Sequence, residues 1–205
     1  MKVKICGIKT IEAAKHAFKC GADALGFVFA DSKRKIKVLE AKEIIEALPE
    51  DIWKVGVFVN EDPAKIKEIA ETAGLTHIQL HGEELLADFR SIGLPLIKSV
   101  SVKSQEDLKE IEGLNADYML LDSPPGKYRG GNGSSFDWDL ARFLDQSNKN
   151  KILAGGLNPE NVKLAISKVN PFMVDVSSGV ETNGEKDFIK IKHFIKNAKT
   201  AGEEI

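Results

Sequence analysis

The sequence predicts an α/β protein folded as a (β/α)8 (TIM) barrel, and three observations predict it. Short apolar runs rich in β-formers alternate with amphipathic stretches of helical period, and the pair recurs eight times. The length of 205 residues allows about 25 per pair, the allotment of a compact barrel. Strict alternation of buried strand and helix argues for a parallel sheet, because each crossover must pass over one face of it. An open doubly wound sheet shares this rhythm and is the competing architecture. Eight units favour closure, so residues 1–205 are expected to form one barrel domain.

The strand candidates in order are KVKIC (2–6), ALGFVF (24–29), KVGVFV (54–59), THIQL (76–80), PLIKSV (95–100), DYMLLD (117–122), KILAG (151–155) and FMVDVS (172–177). Most are too apolar to be half exposed. Helical period covers 10–22, 39–50, 62–74, 82–92, 104–113, 136–146, 158–170 and 185–199. Thr10 and Asn158, the latter followed by Pro159, read as helix starts, and Gly21 and Gly74 read as stops. The longest irregular piece is the glycine-rich segment after the sixth strand, with Gly130, Gly131 and Gly133 around Asn132. It lacks the spacing of a dinucleotide fingerprint, since Phe136 stands where the third glycine would be. A loop so costly to order suits a cover that closes over a ligand. Ser135 or Asp137 would cap the next helix, and Phe136 and Trp138 would anchor its start.

Charge and cysteine content narrow the function classes. Lys+Arg number 29 against 31 Asp+Glu, a formal charge of -2, which gives no electrostatic reason to expect nucleic acid or an anionic membrane as partner. The two cysteines, Cys6 and Cys20, have neither CxxC spacing nor a Cys/His cluster, so a disulfide framework and a metal site are both unexpected. No segment approaches the roughly 20 apolar residues of a membrane span, and the N-terminus lacks a signal-peptide core. A soluble, cytoplasmic protein is expected, as a monomer or homodimer.

Side chains alternate between the two faces of a strand, which turns the fold into a site. With Val3 and Ile5 facing the helices, Lys4 and Cys6 face the axis; Ile78 and Leu80 outside leave His77, Gln79 and His81 inside. The same parity turns Asp122 and Asp175 inward, and Lys98 is read as inward with them. Cys6, His81, Lys98, Asp122 and Asp175 therefore converge at the C-terminal mouth, where barrel enzymes place their chemistry. Each has a plainer reading. Cys6 could be a small buried hydrophobe, Asp122 a loop anchor and His81 a hydrogen-bonded support, while Asp175 and Lys98 could pair with each other or with Lys4.

Gly155 and Gly156 follow the seventh strand, and Ser177, Ser178 and Gly179 follow the eighth. These are the usual phosphate turns of a barrel, where small residues let backbone N–H groups approach an anion; ordinary tight turns are the alternative. Arg34, between Lys33 and Lys35 after the second strand, offers a planar fork for a carboxylate. A solvated basic loop is the alternative there.

The ordered motifs KICGI, GADALGFVF followed by SKR, VGVFVN, QLHGEE, LLDS leading to GGNGSSFDW, AGGLNPENV and VDVSSGVE resemble phosphoribosylanthranilate isomerase over nearly the whole chain. The resemblance implies a cofactor-free barrel enzyme of tryptophan biosynthesis. Its reaction is an Amadori rearrangement of N-(5'-phosphoribosyl)anthranilate to 1-(2-carboxyphenylamino)-1-deoxyribulose 5-phosphate. It further implies a general base at Cys6, a general acid at Asp122, carboxylate binding at Arg34 and phosphate binding at the GG and SSG turns. The chemistry needs an acid to protonate the furanose oxygen and a base to take the C2 proton. The acid works only with a raised pKa, and the base as a thiolate helped by positive charge such as Lys4. Another sugar-phosphate isomerase or lyase of the phosphate-binding barrels, and a non-catalytic phospho-ligand-binding barrel, are the competing readings. Ring closure by a lyase would want lysine and glutamate partners, for which only Lys98 stands out.

Overall fold

A computed structural model of the chain describes residues 1–101, 115–122, 138 and 150–201. Eight parallel strands close on themselves in sequence order, so the barrel replaces the open sheet that the same rhythm allows. They are β1 (Lys2–Cys6), β2 (Ala24–Val28), β3 (Trp53–Phe58), β4 (His77–Leu80), β5 (Leu96–Ser101), β6 (Tyr118–Asp122), β7 (Lys151–Leu153) and β8 (Met173–Val176). The described helices are α1 (Ile11–Lys19), α2 (Val38–Glu46), α3 (Pro63–Ala73), α4 (Leu86–Phe89), α5 (Val162–Val169) and α6 (Phe188–Thr200). None is long and apolar enough to cross a membrane. The helices expected over 104–113 and 136–146, and the glycine cover with its caps, lie outside the described residues, apart from Trp138, which packs partly buried against the outer core.

Start and stop signals act as their chemistry requires. The Thr10 side chain accepts from Ala13 N–H at 3.2 Å, and Asp62 caps α3 through Ala64 N–H at 2.9 Å with Pro63 in the first turn. Gly74 ends α3 at φ +76°, a conformation that glycine adopts without strain. Asn158 caps a turn by accepting from Glu160 and Asn161 N–H, and regular helix begins only at Val162.

One expected helix loses its first turn. Over 82–92 only Leu86–Phe89 and a following 3-10 turn are helical, because Gly82–Glu84 fold against Asn60. The Glu84 carboxylate accepts from Asn60 N–H at 2.6 Å and Gly82 N–H at 2.8 Å, bonds that hold the chain in a loop. A hairpin absent from the expected elements follows β8: β9 (Glu181–Thr182) and β10 (Glu185–Lys186). Asn183 and Gly184 join them at φ 54° and 84°, the positive pair of a type I′ turn.

Two layers of core result. Outward residues such as Ile5, Phe27, Leu80 and Val174 pack under the helices, each fully buried and worth about 1.5–3 kcal/mol relative to exposure. Inward residues Ala24, Val55, Ile97, Leu120, Ile152 and Met173 fill the barrel, with Trp53, Tyr118 and Phe172 packed against them. The filled interior leaves the C-terminal mouth to polar side chains.

Candidate active site

Cys6 is the last residue of β1. Its neighbour Ile5 lies in the outer core, whereas Cys6 packs with Val28 and Val57 inside the barrel. Gly26 on β2 makes room for it, since a Cβ there would stand 2.7 Å from the thiol sulfur. Lys4, one step deeper on the same face, is fully buried and bonded to Asp175 Oδ2 at 3.0 Å. Asp175 Oδ1 is buried with no hydrogen-bond partner among the described residues. Of the sequence alternatives for Asp175, the pair with Lys4 is the one formed.

Lys98 does not join this layer, which corrects the inward reading. Its register partners are Leu80 and Met119, both in the outer core, so Lys98 faces outward too. There its ammonium donates to Gly82 O at 2.7 Å and Glu84 at 3.0 Å, closing the loop that precedes α4. The inward residues of β5 are Ile97 and Ser99, the latter in register with Leu120. Strand parity counted from Ile97 places it so, and the outer face at this strand end accommodates the Lys98 charge because it meets a polar loop.

Asp122 ends β6 on the inner face, two residues beyond the inward Leu120. His81 continues the β4 ladder through its N–H to Phe58 O and brings Nε2 to 3.4 Å from Asp122 Oδ2. Gln79 joins them, with its amide nitrogen 3.2 Å from both Ser99 Oγ and His81 Nδ1. His77, by contrast, stacks on Trp53 with ring centroids 3.9 Å apart at the other end of the barrel.

Burial pushes the Cys6 thiol above its ordinary value; Lys4 and Lys186 pull it down, while Asp175 pushes it up. Lys4 is thus no free cation, because Asp175 offsets part of what it offers the sulfur. Lys186, from β10, escaped the sequence reading. Its buried ammonium donates to Ser177 O at 2.9 Å and Glu181 Oε1 at 2.8 Å. The signal that could have found it is the Asn183-Gly184 pair, a hairpin turn that sets Glu181 beside Lys186.

Arg34 is buried whereas Lys33 and Lys35 are exposed, so only the arginine departs from a solvated basic run. Its aliphatic stem crosses Gly7, where a Cβ would come within 2.6 Å of Arg34 Cδ. Among the described residues both of its side-chain hydrogen bonds go to Glu181: Nε to Oε1 at 2.7 Å and Nη2 to Oε2 at 2.9 Å. A cavity of about 200 Å³ opens against this pair, with Gly7, Arg34, Glu181 and Lys186 in its wall.

The turns after β7 and β8 meet. Gly155 and Gly156 adopt φ 76° and 65°, and Asn161 pins the second by donating to its carbonyl at 2.9 Å. A Cβ at Gly179 would lie 1.9 Å from Leu157 O, so only glycine permits this approach. Ser177 Oγ donates to Cys6 O at 3.2 Å, tying the second turn to β1, and Ser178 opens a 3-10 turn beside it.

The site therefore has two halves. Cys6, Lys4, Asp175, Arg34 and Lys186 gather around β8, β1 and β2, while His81, Gln79, Ser99 and Asp122 gather around β4 to β6. A thiol faces a carboxyl–imidazole pair across one mouth, and paired glycine turns flank the thiol side.

The family model for N-(5'-phosphoribosyl)anthranilate isomerase matches residues 3–197. The chain belongs to this family. It is 55% identical to N-(5'-phosphoribosyl)anthranilate isomerase of Bacillus thuringiensis (strain Al Hakam), over 97% of this chain and 98% of the relative. The crystal structure of phosphoribosyl anthranilate isomerase from Thermotoga maritima superposes with a TM-score of 0.91 at 45% identity, covering 97% of this chain and 98% of that one. A further isomerase structure of the family, in complex with reduced 1-(o-carboxyphenylamino)-1-deoxyribulose 5-phosphate, gives 0.87 at 44% identity with the same coverage.

Proposed function

We propose that this chain is a cytoplasmic phosphoribosylanthranilate isomerase of tryptophan biosynthesis, with Asp122 as general acid and Cys6 as general base. The observation that carries the reading is that Cys6 and Asp122 end different strands of one closed barrel with both side chains on its inner face. Two strands separate them one way around and four the other, so a sugar seated in the mouth has the thiol and the carboxyl on different flanks.

Asp122 delivers its proton to the furanose oxygen, the C1–O bond breaks, and an open-chain iminium forms. Cys6 as thiolate then takes the C2 proton, and the resulting enolamine tautomerises to the ketone. The Nε2–H of His81 faces the carboxylate that Asp122 becomes and stabilises it. Acid and base of this kind each contribute about 10²- to 10⁴-fold. The turns of Gly155, Gly156, Ser177, Ser178 and Gly179 hold the phosphate by backbone N–H groups, and Arg34 receives the anthranilate carboxylate. Asp175 Oδ1, buried and without a partner among the described residues, is available to a substrate hydroxyl.

Phosphoribosylanthranilate is fluorescent, so its decay on mixing with the protein tests the reading. Decay that is lost in Asp122→Asn supports it. Saturable binding without decay supports a non-catalytic phospho-ligand barrel instead.

A further inference from the structure

Glu181 and Lys186 belong to no strand of the barrel, yet their side chains are 7% and 6% exposed, as deep as the residues of the mouth itself. The hairpin β9–β10 holds them side by side in register. Arg34 and Lys186 bring two positive charges to this cluster and Glu181 one negative, leaving one positive charge in excess in a buried place. At the rim, Lys9 and Glu185 stand 3.6 Å apart and cancel each other. Such an excess favours an anion from outside the cluster.

A guanidinium can grip carboxylates by two edges, the side-on pair Nε and Nη2 and the end-on pair Nη1 and Nη2. Glu181 takes the side-on pair, at 2.7 and 2.9 Å. The end-on pair keeps Nη1 and one hydrogen of Nη2 to offer. The Glu181 carboxylate does not swing freely, because Lys186 donates to the same Oε1 while holding Ser177 O with another of its hydrogens. Burial opposes the charge of Glu181, but its bonds from Arg34 and Lys186 outweigh burial and keep it ionised.

We propose that Glu181 is a positioning residue: it locks Arg34 by the side-on edge so that the end-on edge meets the ligand's carboxylate, and Lys186 holds Glu181 in that pose. The proposal rests on the reading of Arg34 as the carboxylate receiver and adds the device that aims it. Two other roles fit the same contacts and predict different outcomes. A purely structural ion cluster would support the fold without regard to ligand carboxylate, and a competitor would occupy Arg34 until substrate displaced it.

The test compares two ligands on the full chain by calorimetry: reduced 1-(o-carboxyphenylamino)-1-deoxyribulose 5-phosphate and its counterpart lacking the carboxyl group. Glu181→Gln keeps shape and removes charge. It is expected to weaken the carboxylated ligand about 10- to 100-fold, the loss expected when a charge-assisted grip is misaimed. The decarboxylated ligand should change by less than about threefold, and turnover should show raised KM with kcat nearly kept. Glu181→Asp, which retains charge and shortens reach, should fall between, and it serves if Glu181→Gln fails to fold. Equal weakening of both ligands, no change in either, or tighter binding of the carboxylated ligand would overturn the proposal. If the wild-type protein binds both ligands alike, the reading of Arg34 falls first and this proposal with it.

Discussion

Lys4 Nζ sits 3.0 Å from Asp175 Oδ2, inside the barrel and one layer beneath the Cys6 thiol. The pair joins β1 to β8, whose residues 4 and 175 are in register, and it leaves Lys4 wholly out of solvent. A buried ion pair stabilises little by itself, but breaking it is expensive because one charge remains unpaired. Lys4→Met should therefore lower unfolding stability in urea by about 3–5 kcal/mol, and the double replacement with Asp175→Leu should recover much of that. Equal losses in the single and double variants would mean that the pair is not the source.

Burial sets the Cys6 thiol above its ordinary value of 9.0, with Asp175 pushing it the same way and Lys4 and Lys186 opposing. Arg34 also faces the sulfur electrostatically. The thiolate fraction thus grows only as pH rises through the elevated value. Alkylation of Cys6 by iodoacetamide should be slow at neutral pH and accelerate into the alkaline range. Lys186→Met, which removes one opposing cation, should move that rise to still higher pH. A rise at or below neutrality would show that burial is not dominant.

The mouth was legible in the sequence where strand parity alone decides. Cys6 and Asp122 each follow an outward apolar neighbour, Ile5 and Leu121, and a period of two turns them inward. Parity counted from the inward Ile97 turns Lys98 outward, so it leaves the mouth to Ser99. The helix expected over 82–92 begins only at Leu86, because Glu84 spends its carboxylate on Asn60, 24 residues away, and no local period records that. The Arg34–Glu181 grip spans 147 residues and arises only when β2 and β8 flank β1 in a closed barrel. The hairpin that delivers Glu181 and Lys186 was legible in Asn183-Gly184, but the eight-fold rhythm assigned Glu185 and Lys186 to the start of the last helix.

His77 is held neutral at the far end of the barrel, its pKa lowered by burial, with Lys2 adding to the effect and Asp117 opposing, from 6.5 to about 4. The unfolded chain gains a proton on this ring near pH 6.5, whereas the folded chain does so only near 4. The stability this residue confers is complete above pH 6.5 and is lost as pH falls between those values. Urea midpoints should decline across that window, and His77→Phe, which keeps the stack on Trp53, should flatten the decline. An unchanged slope in the variant would contradict the assignment.

Gly179 lies against the backbone of Leu157, where a methyl group would come within 1.9 Å of a carbonyl oxygen. Both turns are anchored in place, Ser177 to Cys6 and Gly156 to Asn161. Gly179→Ala should weaken binding of inorganic phosphate by at least about tenfold while leaving Cys6 alkylation unchanged, because displaced N–H groups no longer aim at one anion. Unimpaired phosphate binding would remove these turns from the phosphate site.

Single-turnover decay of phosphoribosylanthranilate fluorescence, followed with the wild-type chain, Cys6→Ser and Asp122→Asn, addresses the acid–base pair most directly. Full decay in the wild type is expected, slowed by about 10²-fold or more in each variant, with the reduced product analogue still bound. Turnover within a few-fold of wild type in either variant would contradict the roles given to these two residues.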